Sequence, residues 1–139
     1  MEKNVYIFTT FREFNEGDVD TRIQLKFLES LENQKNKNFH FFPIIYNEKN
    51  VEKFVSNYKI KFTPIYSKKT KYLLSQNNYW SLSDCLKIIS QVEGIENKII
   101  LWTLADNLFD ENFIEKIVSN FSLNYSGSVF PQLYFKSIN

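Results

Sequence analysis

Three short passages carry side chains that could hold a charged ligand. Thr9-Thr10-Phe11-Arg12-Glu13 offers two hydroxyls, an aromatic face and one of only two arginines in the chain. A guanidinium is a planar fork of donors that matches a phosphate. Ala105-Asp106-Asn107 sets a carboxylate directly after the apolar run Lys98–Leu104. A carboxylate there can hold a hard cation, and Mg²⁺ often takes one or two carboxylates together with substrate phosphates. Tyr46-Asn47-Glu48 is the third passage, with one acid after another apolar run. Each has a plainer reading beside the chemical one. Thr9 and Thr10 can simply finish a strand, with Arg12 solvated. Asn47-Glu48 can be a helix start, and Asp106-Asn107 can be a turn.

Other chemistry has little to stand on. The glycines Gly17, Gly94 and Gly127 are scattered, so no Gly-rich phosphate loop of the dinucleotide or P-loop kind exists. Cys85 is the only cysteine, which leaves no intrachain disulfide and no paired-cysteine metal site, and suits a reducing compartment. It falls on the apolar face of a helix and reads as core filler. His40 is the only histidine and reads as structural. Lys68, Lys69 and Lys71 beside Tyr66 and Tyr72 read as a solvated loop.

The elements that must position these groups follow from pattern. Val5–Phe11 and Lys98–Leu104 are continuous apolar runs, the mark of strands buried on both faces of a parallel sheet. Phe39–Tyr46 is a third such run, interrupted by Pro43, which must sit at a bulge or where the sheet leaves an N–H unpaired. Lys59–Tyr66 is expected to hold a short strand, and Ser128–Phe135 a last one. A helix over 21–33 buries Ile23, Phe27, Leu28 and Leu31, with Asp20 or a Thr21–Gln24 capping box at its start. A short helix follows Val51, Phe54, Val55 and Tyr58. A helix over 82–93 begins at Ser81 and ends at Gly94, and a helix over 110–121 begins at Asp110. Residues 67–78 read as a long loop. Alternating strands and helices predict an α/β fold, a three-layer sandwich with a mostly parallel central sheet and helices on both faces. In such sheets ligands bind at the carboxyl ends of strands, where the strand order reverses.

Composition bounds the rest. The chain has 139 residues, which predicts one domain over 1–139. It is 43% hydrophobic and 24% charged, which excludes a disordered tail. The formal net charge of +1 gives no electrostatic case for nucleic acid or an anionic membrane. No run approaches the ~18 apolar residues of a membrane helix, and Val5–Phe8 is too short for a signal peptide. A soluble cytoplasmic protein is the expectation.

The order of segments resembles a known family. Ser30-Leu31-Glu32-Asn33-Gln34, then Asn38-Phe39-His40, resembles the S-[VL]-x-x-Q-x-x-x-[NY]-[FW]-E passage of GT-A glycosyltransferases, the inverting sugar-nucleotide type. Thr9-Thr10-Phe11-Arg12 looks like that family's loop after the first strand. Ile99–Phe113 looks like the passage bearing its acidic D-x-D motif, with Leu104 in place of the first acid and Asp106 retained. Asn47-Glu48 stands where the family carries two aspartates. The resemblance spans about residues 4 to 120, the nucleotide-binding half, so the acceptor half with its catalytic base is expected to be lacking.

By resemblance, Thr9, Thr10, Phe11, Arg12 and Glu48 would surround the nucleotide, and Asp106 would reach the diphosphate through Mg²⁺ or Mn²⁺. The implied function is a glycosyltransferase-like protein that binds a nucleotide-diphosphate sugar, in surface polysaccharide or glycan biosynthesis. The alternative is a non-catalytic binding or assembly module of the same fold. A homodimer through Phe130, Leu133, Tyr134 and Phe135 belongs with the second reading. A flavodoxin-like domain fits less well, for want of an acidic phosphorylation cluster or a Gly/Ser/Thr phosphate loop after the first strand.

Overall fold

The computed structural model describes residues 4–45, 50–67 and 82–120. Among them four strands form one sheet: β1 (Val5–Thr10), β2 (Phe39–Ile45), β3 (Ile65–Tyr66) and β4 (Ile99–Leu104). The order is β3-β2-β1-β4 and every pairing is parallel. The helices are α1 (Val19–Glu32), α2 (Val51–Ser56), α3 (Leu82–Ile89) and α4 (Phe113–Asn120). The chain is thus α/β, with the two most apolar runs, β1 and β4, side by side in one sheet.

Alternate strand residues feed two apolar clusters, as the period of two requires. Val5, Ile7, Phe39, Phe41, Ile45 and Ile99 join Phe27, Leu28 and Leu31 of α1, Val51 and Val55 of α2, and Ile114 and Ile117 of α4. Phe8, Phe42, Ile44 and Ile65 form the second cluster with Ile88 of α3. Phe8 stacks on Phe42 at 4.9 Å and on Trp102 at 6.2 Å. In the first cluster Phe11, Phe27 and Phe41 meet edge-on or tilted within 5.9–6.1 Å, geometries that aromatic quadrupoles favour.

Pro43 sits inside β2 without a bulge, paired in register with Thr9. The reason lies on its other side. Phe41 donates its N–H to Lys61 O and accepts from Thr63 N, so odd residues of β2 point toward the chain that becomes β3. That chain pairs as a single bridge at Phe62 and then as two residues from Ile65. Pro43 faces the gap between them, where no N–H is required. The gap, with Pro64 in it, also shortens the strand expected over Lys59–Tyr66 to Ile65–Tyr66.

Three helix ends differ from the sequence expectation. α1 starts at Val19 under Asp18, whose carboxylate accepts from Asp20 N. The Thr21–Gln24 capping box does not form, because both side chains reach the preceding loop instead. α3 ends at Ile89, where the chain tightens into turns: Gln91 N donates to Ile88 O and Val92 N to Ile89 O. Gly94, at φ +71°, lies in these turns and does not cap the helix. α4 starts at Phe113, with Asp110 turning the chain ahead of it by accepting from Asn112 N at 2.8 Å. That bond, ahead of nearby Lys116 and Lys35, lowers the pKa of Asp110.

The turn at Tyr46-Asn47-Glu48, the Ser81 cap, the Cys85 side chain, the loop beyond Ser67 and the strand over Ser128–Phe135 lie outside the described residues. Among the described residues, no helix is long and apolar enough to cross a membrane.

Candidate functional site

The chain moves outward from β1 to β2 to β3, then returns to place β4 on the other side of β1. Strand order therefore reverses between β1 and β4, and in open α/β sheets the carboxyl ends of the strands at such a reversal are where a ligand crevice is expected. The last registered pair is Thr10↔Leu104. Arg12 and Asp106 each stand two residues beyond it, on adjacent chains.

Alternation divides the loop after β1. Thr9 is fully buried, and its hydroxyl donates to Thr103 O across the β1–β4 pair. Phe11 is buried among Phe14, Phe27 and Phe41. Thr10 and Arg12 are the members of the set open to a solute. Arg12 is engaged within the chain: its guanidinium meets Asp20 at 2.7 Å, both side chains solvated.

The backbone of this loop is held by side chains. Arg12 N donates to Gln24 Oε1 at 2.6 Å, and Gln24 Nε2 donates to Arg12 O at 3.0 Å. Asn15 N donates to Thr21 Oγ1 at 2.7 Å. Asn50, at the start of α2, makes no cap for its own helix. Its amide instead brackets Phe14, donating to Phe14 O at 2.6 Å and accepting from Phe14 N at 3.3 Å. Three side chains from two helix starts thus fix Arg12, Phe14 and Asn15.

On the β4 side, Asp106 is exposed and follows buried Ala105. Asn107 N donates to Leu104 O, and Asn107 Nδ2 to Thr103 Oγ1 at 2.9 Å, so Asp106 rides a hydrogen-bonded turn. The turn and the exposed carboxylate coexist. Asp110, the next acid along, lies elsewhere: Gln34, just beyond the far end of α1, donates to Asp110 O at 2.6 Å. Glu48 lies outside the described residues.

Two features restrict the ligand. Asp18 and Asp20 occupy the start of α1, where a dinucleotide phosphate would need free N–H groups and a positive field. Among the described residues no group of three or more His, Cys, Asp or Glu could hold a metal ion by itself. Asp106 therefore fits a cation only jointly with oxygens of the ligand.

The sequence reading missed Gln24 and Asn50 as loop holders. Their signal was there: a glutamine on the buried side of an amphipathic helix, and an asparagine just before one. No protein-family model matches the chain, and neither the curated proteins nor the solved structures yield a match.

Proposed function

We propose that the crevice between the carboxyl ends of β1 and β4 binds a nucleotide-diphosphate sugar, making this a glycosyltransferase-like protein of GT-A type. The reading extends to a three-layer sandwich with a transferase-like donor half, and to a role in polysaccharide or glycan biosynthesis. The observation that supports it is the reversal of strand order there, with Thr10 and Arg12 on one side and Asp106 on the other. Asp106 would share Mg²⁺ or Mn²⁺ with the diphosphate, and the cation would offset the charge of the leaving group. Arg12, released from Asp20, would add a charge-assisted bond to a phosphate oxygen.

Transfer also needs a base for the acceptor proton. The one imidazole of the chain, His40, pairs in register with Tyr6 near the amino ends of the strands, away from the crevice. A base at the crevice would then be a carboxylate, whereas the second reading, a binding module that holds the donor without turnover, needs none.

The test is thermal shift with nucleoside diphosphates, with and without Mn²⁺. Ligand at 100-fold over its Kd should add about 2.7 kcal/mol of stability. Asp106→Ala should abolish the Mn²⁺-dependent shift while leaving the melting temperature of the free protein nearly unchanged. Mn²⁺ alone should give no shift, since the cation needs the diphosphate. Normal binding by the variant, or none by wild type at millimolar ligand, would sink the reading. Hydrolysis of the donor sugar separates the enzyme from the binding module.

A further inference from the structure

We infer that Gln24 is a positioning residue for this crevice: its carboxamide holds the Arg12 peptide so that ligand meets a loop already in its binding shape. The inference rests on the donor-site reading and deepens it. Gln24 is buried in α1, at 5% exposure, yet its side chain turns its hydrogen bonds to the loop after β1 and not to the helix. Its amide pairs with both the N–H and the C=O of Arg12, as a neighbouring strand would. β1 has ended at Thr10 by then, and the Gln24 amide carries the pairing two residues further. A carboxamide donates and accepts in this way at any pH, whereas a carboxyl does so only when protonated.

Two neighbours on α1 complete the hold. Asp20, four residues before Gln24 and so on the same helix face, takes the Arg12 guanidinium. Thr21 takes the Asn15 N–H. One helix face therefore fixes the main chain of Arg12 for ligand and, in the free protein, parks its guanidinium on Asp20, which releases it to the phosphate. A rigid mount of this kind lowers the ordering cost of binding.

A second buried glutamine supplies the control. Gln34, 1% exposed, donates to Ser30 O and Asp110 O and accepts from Ile114 N at 3.0 Å. It ties α1 to α4 near the amino ends of the strands, remote from the crevice.

The experiment measures binding of uridine, guanosine, adenosine and thymidine diphosphates with Mn²⁺ to the full chain and its variants. Gln24→Met keeps length and removes both bonds; affinity should fall about tenfold or more. Gln34→Met should lower the melting temperature and leave affinity within about twofold of wild type. Gln24→Glu gives a readout that a packing role would not move. Its ionised carboxylate repels Arg12 O, whereas the protonated form can donate there. Burial and the Asp20 carboxylate one turn away raise the pKa of a carboxyl there, and the Arg12 guanidinium, held on Asp20, opposes them. The ratio of variant to wild-type affinity should therefore climb as pH falls from about 7.5 to about 5.5. This arm stands even if Gln24→Met fails to fold. A folded Gln24→Met chain that binds like wild type overturns the positioning role alone, and so does a ratio for Gln24→Glu that ignores pH. A wild-type chain that binds none of the nucleotides overturns the donor-site reading and the positioning role together.

Discussion

The two apolar clusters of the sheet are unequal. The first draws on three helices and packs Phe27, Leu28, Leu31, Val51, Val55 and Ile114 with no exposure at all. The second has Ile88 as its buried helical residue among those described, and its rim is open: Tyr6, Ile89, Val92, Ile95 and Trp102 pack against it only partly buried, and Leu104, next but one to Trp102 on β4, is 50% exposed. The difference teaches where stability and adaptability lie. A cluster sealed by several helices has no room to relax, whereas one with an open rim can yield at its edge.

Substitution should expose the contrast. Phe27→Ala removes a ring that touches Phe11, Phe41 and Phe109, and should cost about 3–5 kcal/mol in denaturant unfolding. Ile88→Ala in the second cluster should cost about 2 kcal/mol, because its surroundings can partly close the space. Equal costs would erase the distinction.

A pH effect should come next and belong to the second cluster's side of the sheet. His40 lies against Tyr6 and Phe42 and bonds Thr63 Oγ1 at 2.8 Å through Nε2. Burial, then the charge of Lys61, lowers its pKa below 6.5. The folded state thus prefers the neutral ring. The contribution is fully present above about pH 6.5 and is lost as pH falls through the lower folded value. Unfolding midpoints should decline as pH drops from 6.5 toward ~5, and His40→Gln should flatten that slope. An unchanged slope would remove His40 as its source. The smallest effect should come from Leu104→Ser, within about 0.5 kcal/mol of wild type, since half that side chain already meets water. A loss near that of Ile88→Ala would mean the rim is covered in solution.

Much of the frame was legible because buried parallel strands leave uninterrupted apolar runs. Val5–Thr10 and Ile99–Leu104 are of this kind, and the structure pairs them directly. The helices over Val51 and Phe113 were legible from their periodicity, though not their ends. Ends depend on local competition for N–H groups: Asp18 took the cap of α1, and Thr21 and Gln24 were drawn to the loop. Pro43 pointed to a bulge or an unpaired N–H, and that it is the second, on the β3 side, depended on where Phe62 and Ile65 join the sheet. In the candidate site the loops were legible and the facing of side chains was not. Thr9 and Phe11 turned inward, which follows from the parity of the strand once its register is known.

The place of β1 at the centre also sets an order of assembly. Val5 meets Phe39 across 34 residues of chain, whereas Thr9 meets Thr103 across 94. Closing the longer loop costs about 0.9 kcal/mol more in chain entropy. The half built from β1, α1 and β2 should therefore gain its amide protection first in refolding, and β4 should dock onto it afterwards. The crevice has one wall from each stage. It comes into being only when the slower, longer-range closure is made, and it is the first seam to part when the chain opens from that side.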